Sequence, residues 1–260
     1  LYIYYNTREL TCDILHYEIK TDKLGINFLS YQKSHDIALI VGTGESVRHI
    51  THEQSIYLMD TTDIWGINQM FFHDYIVPKF YHVEMANLGR YGNKHMWNYF
   101  ILYKKYLYNS TTFITPSNMR HNLYDMLCKS KPLPMAVVSY TLKDYFADYR
   151  GCTQSRVATL TSSNTYNNVN NVNSYCSATI TRVLGLIIRL KYKNVAFIGV
   201  DLTSTTHFYS NHPFLTGNVR KFETLILEKD RKKYNSSIHA TGARGVHLLI
   251  NKAAQLFTHI

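Results

Sequence analysis

The chain is short of cysteine, with four in 260 residues at Cys12, Cys128, Cys152 and Cys176. They lie far apart with no C-x-x-C pair, which argues against a disulfide scaffold and fits a reducing cytosol. Carboxylates are scarce as well: 18 against 28 lysines and arginines, leaving a formal charge of +10. That imbalance favours an anionic partner such as a nucleotide, a phosphorylated sugar, a nucleic acid or an acidic membrane face. No apolar run approaches the roughly 20 residues of a spanning helix, and no signal-peptide pattern opens the chain. Contact with a membrane is therefore expected only from the side. The thirteen histidines include the pairs His49 with His52 and His207 with His212. Neither pair has carboxylate or thiolate partners at ligand spacing, so no metal site is expected.

What is present is a folding composition, 45% apolar and 18% charged, which argues against disorder. The length suits one α/β domain with insertions. The chain starts at Leu1 and stops at Ile260 inside a helical pattern, as expected of a domain taken from something longer. Residues 1–35 are tyrosine-rich and mixed in pattern and read as an appendage; organisation runs from 36 to 260. The continuous apolar run Ile37 to Val41 predicts a parallel strand covered on both faces. Gly42 and Gly44 turn the chain, and a helix is predicted to about Leu58. Asp63 to Asn68, Lys79 to Val83, Thr112 to Thr115 and Met135 to Ser139 are strand candidates. Helical periodicity marks 93–108, 119–128 and 177–190. The asparagine-rich stretch 161–174 reads as a loop, and "NVAFIGVD" as a second buried strand. This alternation predicts a mainly parallel, doubly wound sheet. Beyond Asp201 a polar and aromatic segment, about 202–238, has the length and position of an active-site lid or of an ordinary surface insertion. A basic helix near 219–233 and a final helix to about Phe257 complete the chain.

Three stretches have the residue types for chemistry. In "VGTGES", Gly42 and Gly44 let backbone N–H groups approach a phosphate or ribose, and Ser46 adds a hydroxyl. Val47 stands where the dinucleotide fingerprint has its third glycine, which argues against standard NAD binding. Asp201, closing "GVD", ends a strand at the ligand-bearing edge, where a carboxylate either contacts a ligand or caps local N–H groups. His239, in "IHATGARG", is a general base if it faces the crevice and an idle surface residue if it does not.

The order of "VGTGES", "INQMFFHDYIVPKFYHV", "LKYKNVAFIGVDL", a polar lid and a late histidine resembles the bacterial lipooligosaccharide sialyltransferases of glycosyltransferase family 42. The specific blocks are "NQMFFHDY" and "YKNVAFIGVD", and the likeness runs in order over roughly residues 36–258. The resemblance implies a Rossmann-like, GT-A-like variant fold. It implies an enzyme that transfers sialic acid, a related nonulosonic acid or Kdo from a CMP-linked donor to a glycan hydroxyl. Transfer would be inverting and without a bound metal or other cofactor. Gly42, Gly44 and Ser46 would line the nucleotide phosphate and ribose, and Asn68 would reach the donor. His239 would take the acceptor's proton, Tyr209 would hydrogen-bond the departing phosphate, and Asp201 would shape the strand end. Thr43 stands where the family has a nucleotide-binding asparagine, Thr203 where it has a second tyrosine, and Thr179 best matches its serine. Glu45 replaces a proline, Ser236 stands for a tyrosine ahead of the histidine, and the family's arginine ahead of the long helix has no clear counterpart. The implied setting is lipopolysaccharide or capsule biosynthesis in the bacterial cytoplasm, with a lipooligosaccharide or oligosaccharide acceptor, contact with the inner membrane face, and homo-oligomers open.

Two rivals stand beside this reading. One is a motility-associated or pterin-pyrophosphokinase-like enzyme, which shares the glycine turn. The other is a nucleic-acid-binding module, suggested by 22 tyrosines and the basic clusters Lys104, Lys105, Arg231, Lys232 and Lys233. The tyrosines are spread over the whole chain, which argues against a nucleic-acid partner. The helix 93–108, with Trp97, Tyr99, Tyr103, Tyr106 and the lysine pair Lys104 and Lys105, either rests on an anionic leaflet or packs on the sheet.

Overall fold

A computed structural model of the chain describes residues 32–84, 96–116, 136–140, 142–143, 172–173, 179–201 and 207–215, together with Ser30, Leu123, Leu127 and Ile250. Its strands are β1 (Ile37–Val41), β2 (Asp63–Ile67), β3 (Phe80–His82), β4 (Thr112–Pro116), β5 (Ala136–Tyr140), the two-residue β6 (Leu142–Lys143) and β7 (Val172–Asn173), and β8 (Asn194–Ile198). Six of them form one sheet in the order β5-β4-β3-β2-β1-β8, with every pairing parallel. From β1 the chain builds outward through β5 and then returns to lay β8 on the free side of β1. The order reverses between β1 and β8, so a crevice is expected outside the carboxyl ends of those two strands.

Both faces of the sheet are covered. The helix α1 (His52–Thr61) follows β1, and α2 (Thr179–Arg189) precedes β8. On one face Val183, Leu186 and Ile187 of α2 pack with Ala38, Ile40, Trp65, Phe80 and Ile114. On the other, Trp97, Phe100 and Tyr108 of the helical segment 96–108 pack with Leu39, Val41, Ile64, Tyr81 and Phe113. Alternate residues of each strand thus feed opposite layers, which is why β1 reads as an unbroken apolar run.

Several sequence expectations need correction. The predicted helix from the glycine turn to Leu58 is two elements: a 3-10 turn at Glu45–His49, then α1. The divider is Thr51, which is extended and accepts from the Gln54 N–H at 3.2 Å while its own N–H donates to Gln54 Oε1 at 2.9 Å. That reciprocal capping box starts a fresh helix. The strand in "NVAFIGVD" is not fully buried. Among the described residues β8 pairs only with β1, and Asn194 and Ala196 are exposed. Within the asparagine-rich stretch, β7 pairs in parallel with β6. The segment 96–108 begins as α-helix, widens to a π-helix at Phe100–Lys104, and tightens to a 3-10 turn at Lys105–Tyr108. This change of pitch brings two consecutive lysines inward. Lys104 Nζ lies 3.0 Å from Asp74, and Lys105 Nζ donates to the Leu127 carbonyl. Of the two readings of this segment, packing on the sheet is the one that the buried Lys104, Lys105 and Trp97 display. Trp97 packs inward, while Tyr103 and Tyr106 remain exposed. The helix expected at 119–128 is described only at Leu123 and Leu127, both helical and buried. The four cysteines, the predicted helix near 219–233 and the basic cluster Arg231 to Lys233 lie outside the described residues.

The amino end of β2 is held by a buried carboxylate. Asp63 accepts from the Ser34 N–H at 2.9 Å, Tyr192 Oη at 2.8 Å and Lys79 Nζ at 3.1 Å, with the His35 ring at 3.0 Å. Burial pushes this carboxyl up, but the hydrogen bonds from Ser34, Tyr192, His35 and Lys79 outweigh it and hold it below the ordinary carboxylate range.

Candidate functional site

The carboxyl ends of β1 and β8 lie side by side and are closely interlocked. Gly42 N–H donates to the Ile198 carbonyl and Gly44 N–H to the Gly199 carbonyl, each at 2.8 Å. A Cβ on Gly42 would lie 2.2 Å from the Gly199 oxygen, and one on Gly44 2.3 Å from Asp201 Oδ2. Gly199 itself sits at φ +70°, the left-handed region that favours glycine. Both glycines of the turn are thus required by the neighbouring segment, which fills the space a side chain would take.

Asp201 completes this contact. Its carboxylate accepts from Ser46 N–H at 3.0 Å and from Ser46 Oγ at 2.7 Å, while Ser46 Oγ accepts from the Gly199 N–H at 3.1 Å. Of the two roles open to Asp201, capping of local N–H groups is the one this geometry displays. The two donors of Ser46 converge on a carboxylate that belongs to the protein, and the Gly42 and Gly44 N–H groups are taken by backbone carbonyls. Glu45, the anion next to the turn, is paired with Arg48 at 2.7 Å.

A second group of residues lies beside the first. Residues 207–215, the described part of the segment after Asp201, fold back onto the edge. His207 bridges Gly44 in antiparallel fashion, and Phe208 N–H donates to the Thr43 carbonyl at 3.1 Å. Thr43 Oγ1 lies 3.1 Å from His207 Nδ1. The His207 ring stacks on Tyr209, and Tyr209 Oη donates to Gln69 Oε1 at 3.4 Å. Next to Gln69, Asn68 ends β2 at φ +53°, a conformation asparagine tolerates better than most residues. Its side-chain oxygen accepts from Thr179 Oγ1, the first residue of α2, at 3.2 Å, and its carbonyl accepts from Tyr81 Oη. Burial pushes the Tyr81 hydroxyl well above its ordinary pKa, so it stays a donor.

The structure therefore gathers eight of the ten expected site residues at one sheet edge. Gly42, Gly44, Ser46 and Asp201 interlock at the β1 and β8 tips. Thr43 and Tyr209 meet through His207, and Asn68 meets Thr179. His239 and Thr203, like Ser236, lie outside the described residues. Sequence reasoning missed His207 and Gln69 as members of this group. The local sequence offers His207 only as a pair with His212, and nothing local signals its bridge to Gly44, 163 positions earlier in the chain. Sequence reasoning also missed a buried polar group at the carboxyl end of β3: His82, its last residue, is fully buried, and Arg182 of α2 pairs with Glu84 at 2.9 Å. Burial, aided by the Arg182 charge, lowers His82 to about 3, so it is neutral at ordinary pH. The signal was the phase of "KFYHV", which turns His82 to the same face as Phe80. Among the described residues no three histidine, cysteine or carboxylate side chains gather to hold a metal.

No family model, no curated protein and no solved structure matches this chain.

Proposed function

We propose that the chain is a Rossmann-like, GT-A-like glycosyltransferase that uses a CMP-linked acidic sugar at the carboxyl edge of β1, β2 and β8. The observation that carries this reading is the meeting of Thr43, Asn68, Thr179 and Tyr209, drawn from four separate stretches, at the edge where the strand order reverses. An open parallel sheet binds ligands in that location. The turn at Ser46 supports it from a second side, because an N–H and an O–H already stabilise an anion there. In the proposed complex the donor phosphate exchanges with the Asp201 carboxylate as the acceptor of those donors.

The chemistry then asks little of the protein beyond placement. The acceptor hydroxyl attacks the anomeric carbon, the bond to the phosphate oxygen breaks, and CMP departs as a stable anion. Hydroxyl and N–H donors such as Tyr209 and Ser46 stabilise the charge that develops on it. His239 takes the acceptor's proton, a contribution of about 10²–10⁴-fold in typical cases. The excess of cationic residues draws in a donor carrying both carboxylate and phosphate.

The test is a thermal shift with CMP, UDP, ADP and NAD, with transfer activity assayed on the wild type and on His239→Ala. At about 100-fold above its Kd, CMP is expected to raise Tm by roughly 5 °C or more in both proteins. Transfer is expected only in the wild type. Stabilisation by ADP or NAD with none by CMP would replace this reading with another nucleotide enzyme.

A further inference from the structure

A run of aromatic rings leads outward from the candidate site. His207 stacks on Tyr209 (centroids 5.0 Å apart, planes 3° apart), Tyr209 on Phe72 (5.1 Å, 27°), and Phe72 on Tyr99 (4.8 Å, 15°). Tyr99 then touches Tyr103 at 5.3 Å and Phe214 at 4.8 Å. The inner end is bonded to Thr43. At the outer end Tyr103 is 54% exposed, and Tyr106, in the 3-10 turn that follows and close enough to influence the Tyr99 hydroxyl electrostatically, is 60% exposed. Core packing does not require two exposed tyrosines at the end of such a stack.

The polar groups around this shelf narrow its occupant. Asp74, with its side chain 67% exposed, is held by Lys104 at 3.0 Å. The Tyr99 hydroxyl lies 3.4 Å from His212 Nε2. Lys104 and Lys105 are turned inward and only 8% and 4% exposed. Among the described residues of 96–108 the two lysines turn inward and a carboxylate lies beside the shelf, the reverse of what an anionic leaflet attracts. Aromatic faces are electron-rich and suit the weakly positive C–H groups of a pyranose. Its equatorial hydroxyls need acceptors and donors, which a carboxylate, an imidazole and phenolic hydroxyls supply.

We infer that the Tyr99, Tyr103 and Tyr106 shelf is a platform for a pyranose residue of an uncharged glycan. The inference deepens the transferase reading, making this the acceptor side of the same edge, and rests on that reading only for what becomes of the bound sugar. The experiment is ligand-observed saturation-transfer NMR with lactose and with methyl β-glucopyranoside. It compares the wild type, the double variant Tyr103→Ala, Tyr106→Ala, and Tyr103→Phe. Both positions are exposed, so unchanged melting curves establish that the variants fold. The expected result is saturation of sugar C–H protons by the wild type and by Tyr103→Phe, with at least tenfold weaker binding by the double variant. No signal with either sugar, or equal signals from the wild type and the double variant, would overturn it. So would anionic phosphatidylglycerol vesicles that bind the wild type but not the double variant while neither sugar binds. The CMP thermal shift is read on the same samples. Sugar binding without a CMP effect leaves the platform standing and removes the transferase reading, and a CMP effect without sugar binding does the converse.

Discussion

At the scale of single residues, Gly42 and Gly44 share a role but differ in what surrounds them. Gly44 has φ −68° and ψ 164°, open to any residue, so only space makes it glycine. The nearest obstacle to a Cβ is the Asp201 side chain at Gly44 and the Gly199 backbone at Gly42. A side chain can yield where a backbone cannot. Gly42→Ala is therefore expected to destabilise more than Gly44→Ala, with both in the range of about 1–3 kcal/mol for overpacking. Removing the carboxylate should rescue one and not the other. In a urea-denaturation double-mutant cycle, Asp201→Gly, which removes the Oδ2, Cγ and Cβ that lie 2.3, 2.5 and 2.9 Å from a Cβ at position 44, is expected to relieve Gly44→Ala and leave the penalty of Gly42→Ala intact. Equal rescue of both, or of neither, would mean that the interlock of the two strand tips is misread. The sequence pointed to these glycines for a different reason, as bare backbone facing a ligand. A glycine signals that a Cβ is forbidden, and it does not say whether a ligand or the protein itself forbids it.

At the scale of elements, His82 joins β3 to the face covered by α2 and titrates accordingly. It is buried neutral with its pKa lowered to about 3, whereas in the unfolded chain it takes up a proton near 6.5. Its contribution to stability is complete above about pH 7, falls as pH drops below 6.5, and levels off near 3, at up to about 1.4 kcal/mol per pH unit. His73 and His212 are also pushed down, chiefly by burial, and act in the same direction. His82→Leu is expected to reduce the loss of stability between pH 7 and pH 5 by about 2 kcal/mol, measured by urea unfolding at the two values. An unchanged loss would place the acid sensitivity elsewhere. The elements themselves were largely legible, because β1 is an apolar run of strand length, β2 and β4 carry aromatic and β-branched residues, and α2 carries a helical stripe. The β8 run was equally apolar, yet neighbours decide burial, and a strand at a sheet edge has few. The break at Thr51 was signalled by a threonine three residues before Gln54, while the π-helical turn at Phe100–Lys104 follows from tertiary packing that periodicity does not record.

At the scale of the whole molecule, the sheet separates a charged cluster from a group of neutral polar side chains. The amino end of the strands carries the Asp63 network with Lys79 and His35, and Lys33 and Lys193 beside Asp36. That carboxylate is saturated by donors and ties together residues 34–35, β2 and the approach to β8, a structural role. The carboxyl end carries Thr43, Asn68, Ser46, Thr179 and Tyr209, hydroxyls and an amide gathered from segments far apart in sequence. Only the order of the motif blocks made this gathering foreseeable, and His207 and Gln69, which join it through long-range contacts, carry no local mark. The central claim is that this carboxyl edge binds a cytidine monophosphate. Its most direct test is a titration of the isotopically labelled protein with CMP, followed through backbone amide NMR signals. The account predicts that Thr43, Ser46, Asn68, Gln69, Thr179 and Tyr209 shift together and saturate at one affinity, with UDP producing smaller changes. Amides that stay still at this edge while those around Asp63 move, or a spectrum that CMP leaves unaltered, would contradict it.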